Sequence, residues 1–284
     1  MKTSSVEALP PLPVRVPFPK RLVELGREMI EEQLKYRELL FTLAARDIRS
    51  RYKHSVIGVG WAVFVPFLMM LILATVVGRF ARIDTGGIPR PIFILCAYVP
   101  WQLFEQSVSK GSASLVVNRN LVTKVYFARE VLPFAAILTA GFDFLIASTV
   151  LGAMMLWFKI APTWTIAFVP VLLLVQIAFT AGVVLLLSMV NLFYRDVGQV
   201  MGVMMRAWFF LSPILYEFPD TGGWRVLSLL NPMAPILQSY RDVVVSGQVP
   251  NWASLGPAAA IGVGLLLVAW TAFHASEFRF AENV

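Results

Sequence analysis

Six apolar runs, each long enough to cross a bilayer at about 20 residues per span, alternate along the chain with shorter polar stretches. They cover Ile57–Gly78, Ile92–Leu115, Val131–Phe158, Thr165–Val190, Val197–Tyr216 and Ser254–Ala275. The second is the weakest, because Gln102, Glu105, Gln106 and Lys110 dilute it. It is needed to return the chain, and polar residues in a span can face a bundle interior. Between the fifth and sixth runs, Glu217 to Ala253 is much longer than an ordinary connection. It holds two short apolar pieces split at Asn231–Pro232 and closed by Gly247 and Pro250. Pieces of that length cannot span and read as re-entrant or interfacial helices.

Ahead of the first run, residues 1–19 carry five prolines and read as an extended arm, not a cleaved leader. From Lys20 to about residue 56 the pattern turns helical. Tyr36, Leu40, Leu43, Ala44, Ile48 and Tyr52 form one stripe, with Arg37, Arg46, Arg49, Arg51 and Lys53 around it. A basic amphipathic helix beside a span is expected to lie in the membrane interface.

Composition agrees with the pattern. The chain is 58% hydrophobic and 14% charged, with mean hydropathy +0.72, far from the balance of a soluble domain. Its +7 formal charge needs no nucleic-acid partner, since basic residues set topology. Sixteen of the 24 lysines and arginines fall on the side that holds both termini, and six on the other. The positive-inside rule then puts both termini in the cytoplasm.

Candidate chemistry is sparse. One cysteine, Cys96, and two distant histidines, His54 and His274, offer neither a disulfide nor a metal site. No phosphate-cradling glycine loop occurs, and no paired carboxylates or nucleophile–base arrangement suggests catalysis. Charges within the spans are Glu105, Lys110, Asp143 and Arg206. Each belongs against a bundle interior or polar cavity, and Arg206 suits a pathway wall or a buried pair equally. Aromatics recur every three residues at Trp61, Phe64 and Phe67 and at Tyr98, Trp101 and Phe104, with Trp208 further on. Such stripes suit either core packing or flat faces for sugar rings. The loop Asn118–Pro133 interleaves Arg119, Lys124 and Arg129 with apolar residues. It reads either as a positive-inside connector or as a short surface helix gripping membrane or partner.

Several ordered motifs together resemble the membrane subunit of bacterial polysaccharide exporters of the ABC type, those for O-antigen, capsule and teichoic acid. They are R-Y-K-H-S-V-I-G-V-G-W at Arg51–Trp61, Pro100–Trp101, and N-L-V-T-K-V-Y-F-A-R-E-V-L-P at Asn120–Pro133. N-L-F-Y-R-D-V at Asn191–Val197, S-P-I-L-Y at Ser212–Tyr216, L-N-P-M at Leu230–Met233 and Tyr240–Arg241 follow. Ala128 departs from the family's usual proline before Arg129. The resemblance implies a homodimer working with two copies of a separate cytoplasmic ATPase, which would hold ATP and magnesium. It implies a coupling helix at Asn118–Glu130, with Arg119, Lys124, Tyr126, Phe127, Arg129 and Glu130 as contacts, and a second contact at Tyr194, Arg195 and Asp196. Paired gate helices are implied over Leu227–Ser246, with Asn231, Pro232, Tyr240 and Arg241. Trp61, Phe64, Tyr98, Trp101, Phe104, Arg206 and Trp208 would line a channel for a polyprenol-linked polysaccharide.

The expectation is therefore an all-α membrane protein of the bacterial inner membrane, with no nucleic-acid partner and no cofactor of its own. Its parts are an arm (1–19), an amphipathic interface helix (20–56), six spans with re-entrant gate helices (57–275) and a cytoplasmic tail (276–284). Its function is expected to be a permease subunit rather than an enzyme. An exporter of small hydrophobic molecules and a membrane enzyme acting on lipid-linked sugars are the alternatives. The detergent-purified chain alone is expected to give no saturable signal when titrated with a fluorescent ATP analogue; saturation at micromolar analogue would overturn the division of labour.

Overall fold

Long apolar runs leave the backbone little choice but to bond to itself within each segment, and every regular element among the described residues is helical. The computed structural model describes residues 31, 33–53, 57–58, 60–80, 87–125, 127–194, 196–217 and 230–283. The arm expected at 1–19 lies outside them. The chain divides into the units Met1–Lys35 and Tyr36–Val284. Of the first, only Glu31 and residues 33–35 are described, all helical.

The second unit opens with α1 (Arg37–Tyr52), followed by α2 (Gly60–Phe80), α3 (Arg90–Val117) and the short α4 (Arg119–Lys124). Then come α5 (Val131–Trp157), a 3-10 turn (Trp164–Phe168) leading into α6 (Val169–Phe193), and α7 (Val197–Phe210). α8 (Met233–Arg241) continues as a π-helical turn (Asp242–Ser246), and α9 (Trp252–Asn283) closes the chain. Val131–Trp157, Trp164–Phe193 and Trp252–Ser276 are long and apolar enough to cross a membrane. The segment expected as a tail begins inside α9, which runs on to Asn283.

α3 is the central element. Residues 92–101 are almost entirely buried, which explains how a helix with so diluted an apolar pattern is held. Gln176 of α6 donates to the Pro100 carbonyl at 2.6 Å and Asn191 donates to the Ser112 carbonyl at 2.9 Å. The two pairs advance together, so α3 and α6 run parallel. α9 runs parallel to α6 as well, since Gly262 abuts Phe179 and Gly182 abuts Leu265–Leu266. A Cβ on Gly182 would sit 2.8 Å from the Leu266 backbone nitrogen, so only glycine lets these helices approach so closely. These directions gather α4 and the α6–α7 junction at one end, and α8 with the starts of α3 and α6 at the other.

Two elements differ from the expectation. The stripe on α1 is present, with Leu43 and Ala44 buried and Leu40, Ile48 and Tyr52 half-buried. It meets protein rather than an open interface, because α1 packs against α5. The fifth run does not fold as one span over Val197–Tyr216: α7 ends at Phe210. Its 14 residues reach only about 21 Å at 1.5 Å each, short of the hydrocarbon core at about 30 Å. Ser212–Pro213 stops it, since proline lacks an N–H and disfavours helix in the residue before it.

The carbonyls released by that break are taken up by α8 and the residues leading into it. Asn231 is fully used: its Nδ2 donates to the Leu211 carbonyl at 3.1 Å and to Ser212 Oγ at 3.0 Å. Its Oδ1 accepts from Trp208 Nε1 at 2.8 Å and from the Met233 N–H at 3.2 Å. Arg241, 1% exposed, donates to the carbonyls of Ile214 (2.6 Å), Phe93 (3.2 Å) and Tyr216 (3.4 Å). Its guanidinium lies 3.7 Å from the centre of the Phe93 ring. Replacing Arg241 with Met would take the side-chain donor away from the buried Ile214 carbonyl and loosen the contacts to Phe93 and Tyr216. We expect a loss of about 2–4 kcal/mol, since each orphaned group costs about 1–3. Thermal unfolding of the purified chain measures it, and an unchanged melting point would contradict this account.

Candidate functional site

At the end formed by α4 and the α6–α7 junction, four sequence-predicted contacts are presented to the surroundings. Arg119 and Lys124 are exposed on α4, and Tyr194 is 68% exposed at the end of α6, with exposed Asp196 beside it. Val122, the inward residue of α4, is buried in the cluster with Leu43, Leu115 and Leu192 that ties α1, α3 and α6 together here. The exposed cations thus stand on a platform anchored from below. Tyr126 and Arg195 lie outside the described residues.

Other predicted contacts turn inward. Among the described residues of the expected Asn118–Glu130 helix, only Arg119–Lys124 is helical. Phe127 is buried in the same cluster, and Arg129 is half-buried, reaching back to the Val122 carbonyl at 3.5 Å. Glu130 is 0% exposed. It accepts a hydrogen bond from Trp270 Nε1 at 2.7 Å, and His274 Nδ1 lies 3.5 Å from its other oxygen. Phe127 and Glu130 therefore hold the loop to α9 instead of offering themselves for docking.

A second assembly, not anticipated from the sequence, joins α1 to the bundle. Asp143 of α5 is buried and bonds to Arg51 and to the Tyr52 hydroxyl, the latter at 2.9 Å. Lys110 of α3 lies 4.0 Å from the same carboxylate and donates to Gln106 at 2.7 Å. Burial, reinforced by Asp143, raises the Tyr52 phenol above its ordinary range. The available signal was an acid within a span next to a helix crowded with arginines.

The aromatic stripes part company. Trp101 and Phe104 are 0% exposed and Tyr98 is 8% exposed. Phe104 stacks on Phe179 at 5.7 Å and meets Trp208 edge-on at 5.1 Å, while Trp101 meets Phe209 at 5.8 Å. These residues pin α7 to α3 and α6, so their expected place on a channel wall gives way to core packing. Trp61, Phe64 and Phe67 of α2 stay 41–44% exposed. Arg206, expected inside, lies on the exposed face of α7. At the opposite end, Asn231, Pro232, Tyr240 and Arg241 are all buried, and residues 227–229 of the first gate helix lie outside the described residues.

The model of the ABC-2 type transporter family matches residues 38–245, from α1 through the π-helical turn. The chain belongs to the ABC-2 type transporter family. This ABC-2 chain is 29% identical over 260 residues to the O-antigen export system permease protein RfbA of Myxococcus xanthus, covering 90% of this chain and 99% of that one. The protein of the same name from Klebsiella pneumoniae is 28% identical, with coverages of 86% and 94%. The polysialic acid transport protein KpsM of Escherichia coli is 23% identical, with coverages of 89% and 98%.

The two aromatic stripes of the ABC-2 chain should respond differently to truncation. Trp101→Ala empties a packed site and is expected to cost about 3–5 kcal/mol. Phe64→Ala on the exposed face should stay within about 0.5 kcal/mol. Melting of the purified chain distinguishes them, and equal losses would contradict the assignment of one stripe to the core.

Proposed function

We propose that this chain is the membrane permease subunit of an ATP-driven exporter that moves a lipid-linked polysaccharide, of the O-antigen or capsule kind, across the bacterial cytoplasmic membrane. The observation that carries this reading is the match, over 86–90% of the chain, to relatives named for O-antigen export and polysialic acid transport. A shared domain alone would leave the cargo open.

On this reading the subunit works as a homodimer with two copies of a separate ATPase, where ATP and magnesium are held. Arg119, Lys124, Tyr194 and Asp196 stand at the end that the positive-inside rule places in the cytoplasm, and they receive the ATPase. The six spans are α2, α3, α5, the 3-10 turn with α6, α7 with the turns after it, and α9. The buried α8 is the gate piece at the far end. The apolar faces of α2 and α7 left exposed, with Arg206 among them, fit a second copy and a path between copies better than bare lipid, because an arginine against hydrocarbon is costly.

Deleting the chain should abolish surface glycan and leave lipid-linked glycan on the cytoplasmic side, and the wild-type chain should restore export. The double variant Arg119→Glu, Lys124→Glu should insert but not restore it. ATPase co-purification should fall by about ten-fold or more if like charges then face one another. Normal surface glycan in the deletion strain would refute the function, and full rescue by a correctly inserted double variant would refute the docking surface.

A further inference from the structure

Between α1, α3 and α5 lies a cavity of about 460 Å³, inside the range of small-ligand sites. Its lining is divided by chemistry. Arg46, Asp47 and Arg51 from α1 and Lys110 from α3 supply the charges, and the hydroxyls of Ser50 and Ser109 stand beside them. Leu43, Ala113, Leu132 and Ala135 supply apolar wall, interrupted by Ser114, Asn118 and Thr139.

Charge does not balance within this lining. Asp47 pairs with Arg46 at 2.9 Å, and Arg46 also donates to Asn118 at 3.1 Å. Asp143, behind the wall, serves both Arg51 and Lys110. Among the described residues at the cavity, three cations thus meet two carboxylates, leaving one positive charge. The side chains of Arg51 and Lys110 are part-covered, 30% and 39% exposed, and a phosphodiester or phosphate monoanion would balance the remaining charge. Arginine and lysine with hydroxyls are the donor set suited to phosphate oxygens.

Depth indicates how the anion arrives. On α5 the lining runs from Leu132 to Thr139 and on α3 from Asn118 back to Ser109. At 1.5 Å per residue this is roughly 10–14 Å, from the helix ends to below the polar interfacial layer. Lys110 and Arg51 sit at the inner part and Asn118 at the mouth. A site with a cationic floor and apolar walls fits an amphiphile better than a hydrated free ion.

We infer that the α1–α3–α5 cavity binds the phosphate head of an anionic membrane amphiphile, with Arg46, Arg51 and Lys110 as its cationic donors. The shared chemistry has two sources, a bilayer phospholipid and a polyprenyl phosphate. The second rests on the export reading; the site itself does not.

The full chain would be placed in nanodiscs of phosphatidylcholine and titrated separately with fluorescent phosphatidylglycerol and with fluorescent polyprenyl phosphate. Lys110→Gln and Arg46→Gln leave the Arg51–Asp143 contact of α1 intact. Each is expected to weaken binding about five-fold, the effect of one basic residue on an anionic lipid, with phosphatidylcholine analogue binding unchanged. Leu43→Trp, which fills the cavity from the apolar side, provides a second route to the same loss without touching charge. Saturable binding of phosphatidylglycerol alone assigns the site to bilayer lipid, and binding of polyprenyl phosphate alone assigns it to the substrate class. Binding of neither above the phosphatidylcholine level, or binding unchanged in all three variants, would overturn the proposal while leaving the export reading intact.

Discussion

A helix that stops inside an apolar bundle strands carbonyls that water cannot reach, and each of them needs a donor from elsewhere in the chain. The break after Phe210 imposes that demand, and Asn231 and Arg241 meet it. Arginine fits because a guanidinium presents five N–H donors in a rigid fork and accepts nothing; lysine could not span three separated carbonyls with one nitrogen. The consequence reaches beyond α8. By binding the Phe93 carbonyl and the two beyond Ser212, Arg241 joins the start of α3, the α7 exit and α8 into one unit. Any opening at that end must exchange these bonds together, which favours two discrete states over gradual yielding.

A parallel constraint acts nearer the other end. Asp143 lies 12 residues into α5 after Val131, about 18 Å from its start, where a lone carboxylate would be costly. Arg51 and Tyr52 relieve the cost, and in doing so they commit α1 to lie along α5 instead of flat on a membrane surface. The helix is amphipathic for the ordinary reason, but its apolar stripe finds Leu115, Val122 and Leu192. α1 is thus positioned by charge at its end and by packing along its length. Glu130, bonded to Trp270 and near His274, plays the matching part for the loop after α4.

Much of this architecture was legible in the chain. The apolar runs, the α1 stripe, the broken segment at Asn231–Pro232 and the stop at Gly247 all reflect local periodicity and backbone preference. Gly247 adopts φ 66°, a conformation glycine reaches without strain. What stayed hidden was what each face meets. A three-residue spacing shows that Tyr98, Trp101 and Phe104 share a side of a helix, but not whether that side borders a path or a neighbour. α3 is enclosed on every side over residues 92–101, so its aromatics had no opening to face. The partners of Glu130 are equally beyond local inference, since Trp270 is 140 positions away. The end of α7 is legible as well, in Ser212–Pro213, although the chain stays apolar beyond it.

Burial also constrains where a transport path can run on the proposed reading. The aromatics of α3 and Trp208 are spent on holding α7 in place, so they are not free to form a continuous wall. Large side chains that remain outward include Trp61, Phe64 and Phe67 on α2 and Val203 and Phe210 on α7, with Arg206 on that same face. Lipid would welcome the apolar members but not the arginine, and the whole α7 face must be covered by one environment. A second copy brought against it resolves the conflict only if a polar space remains opposite Arg206, because an arginine buried without a partner is as costly in protein as in lipid. A path enclosed by two copies satisfies both requirements, with α2 and α7 as its walls. A path threading one chain would require dismantling the Trp101–Phe104–Trp208 cluster that keeps α7 attached.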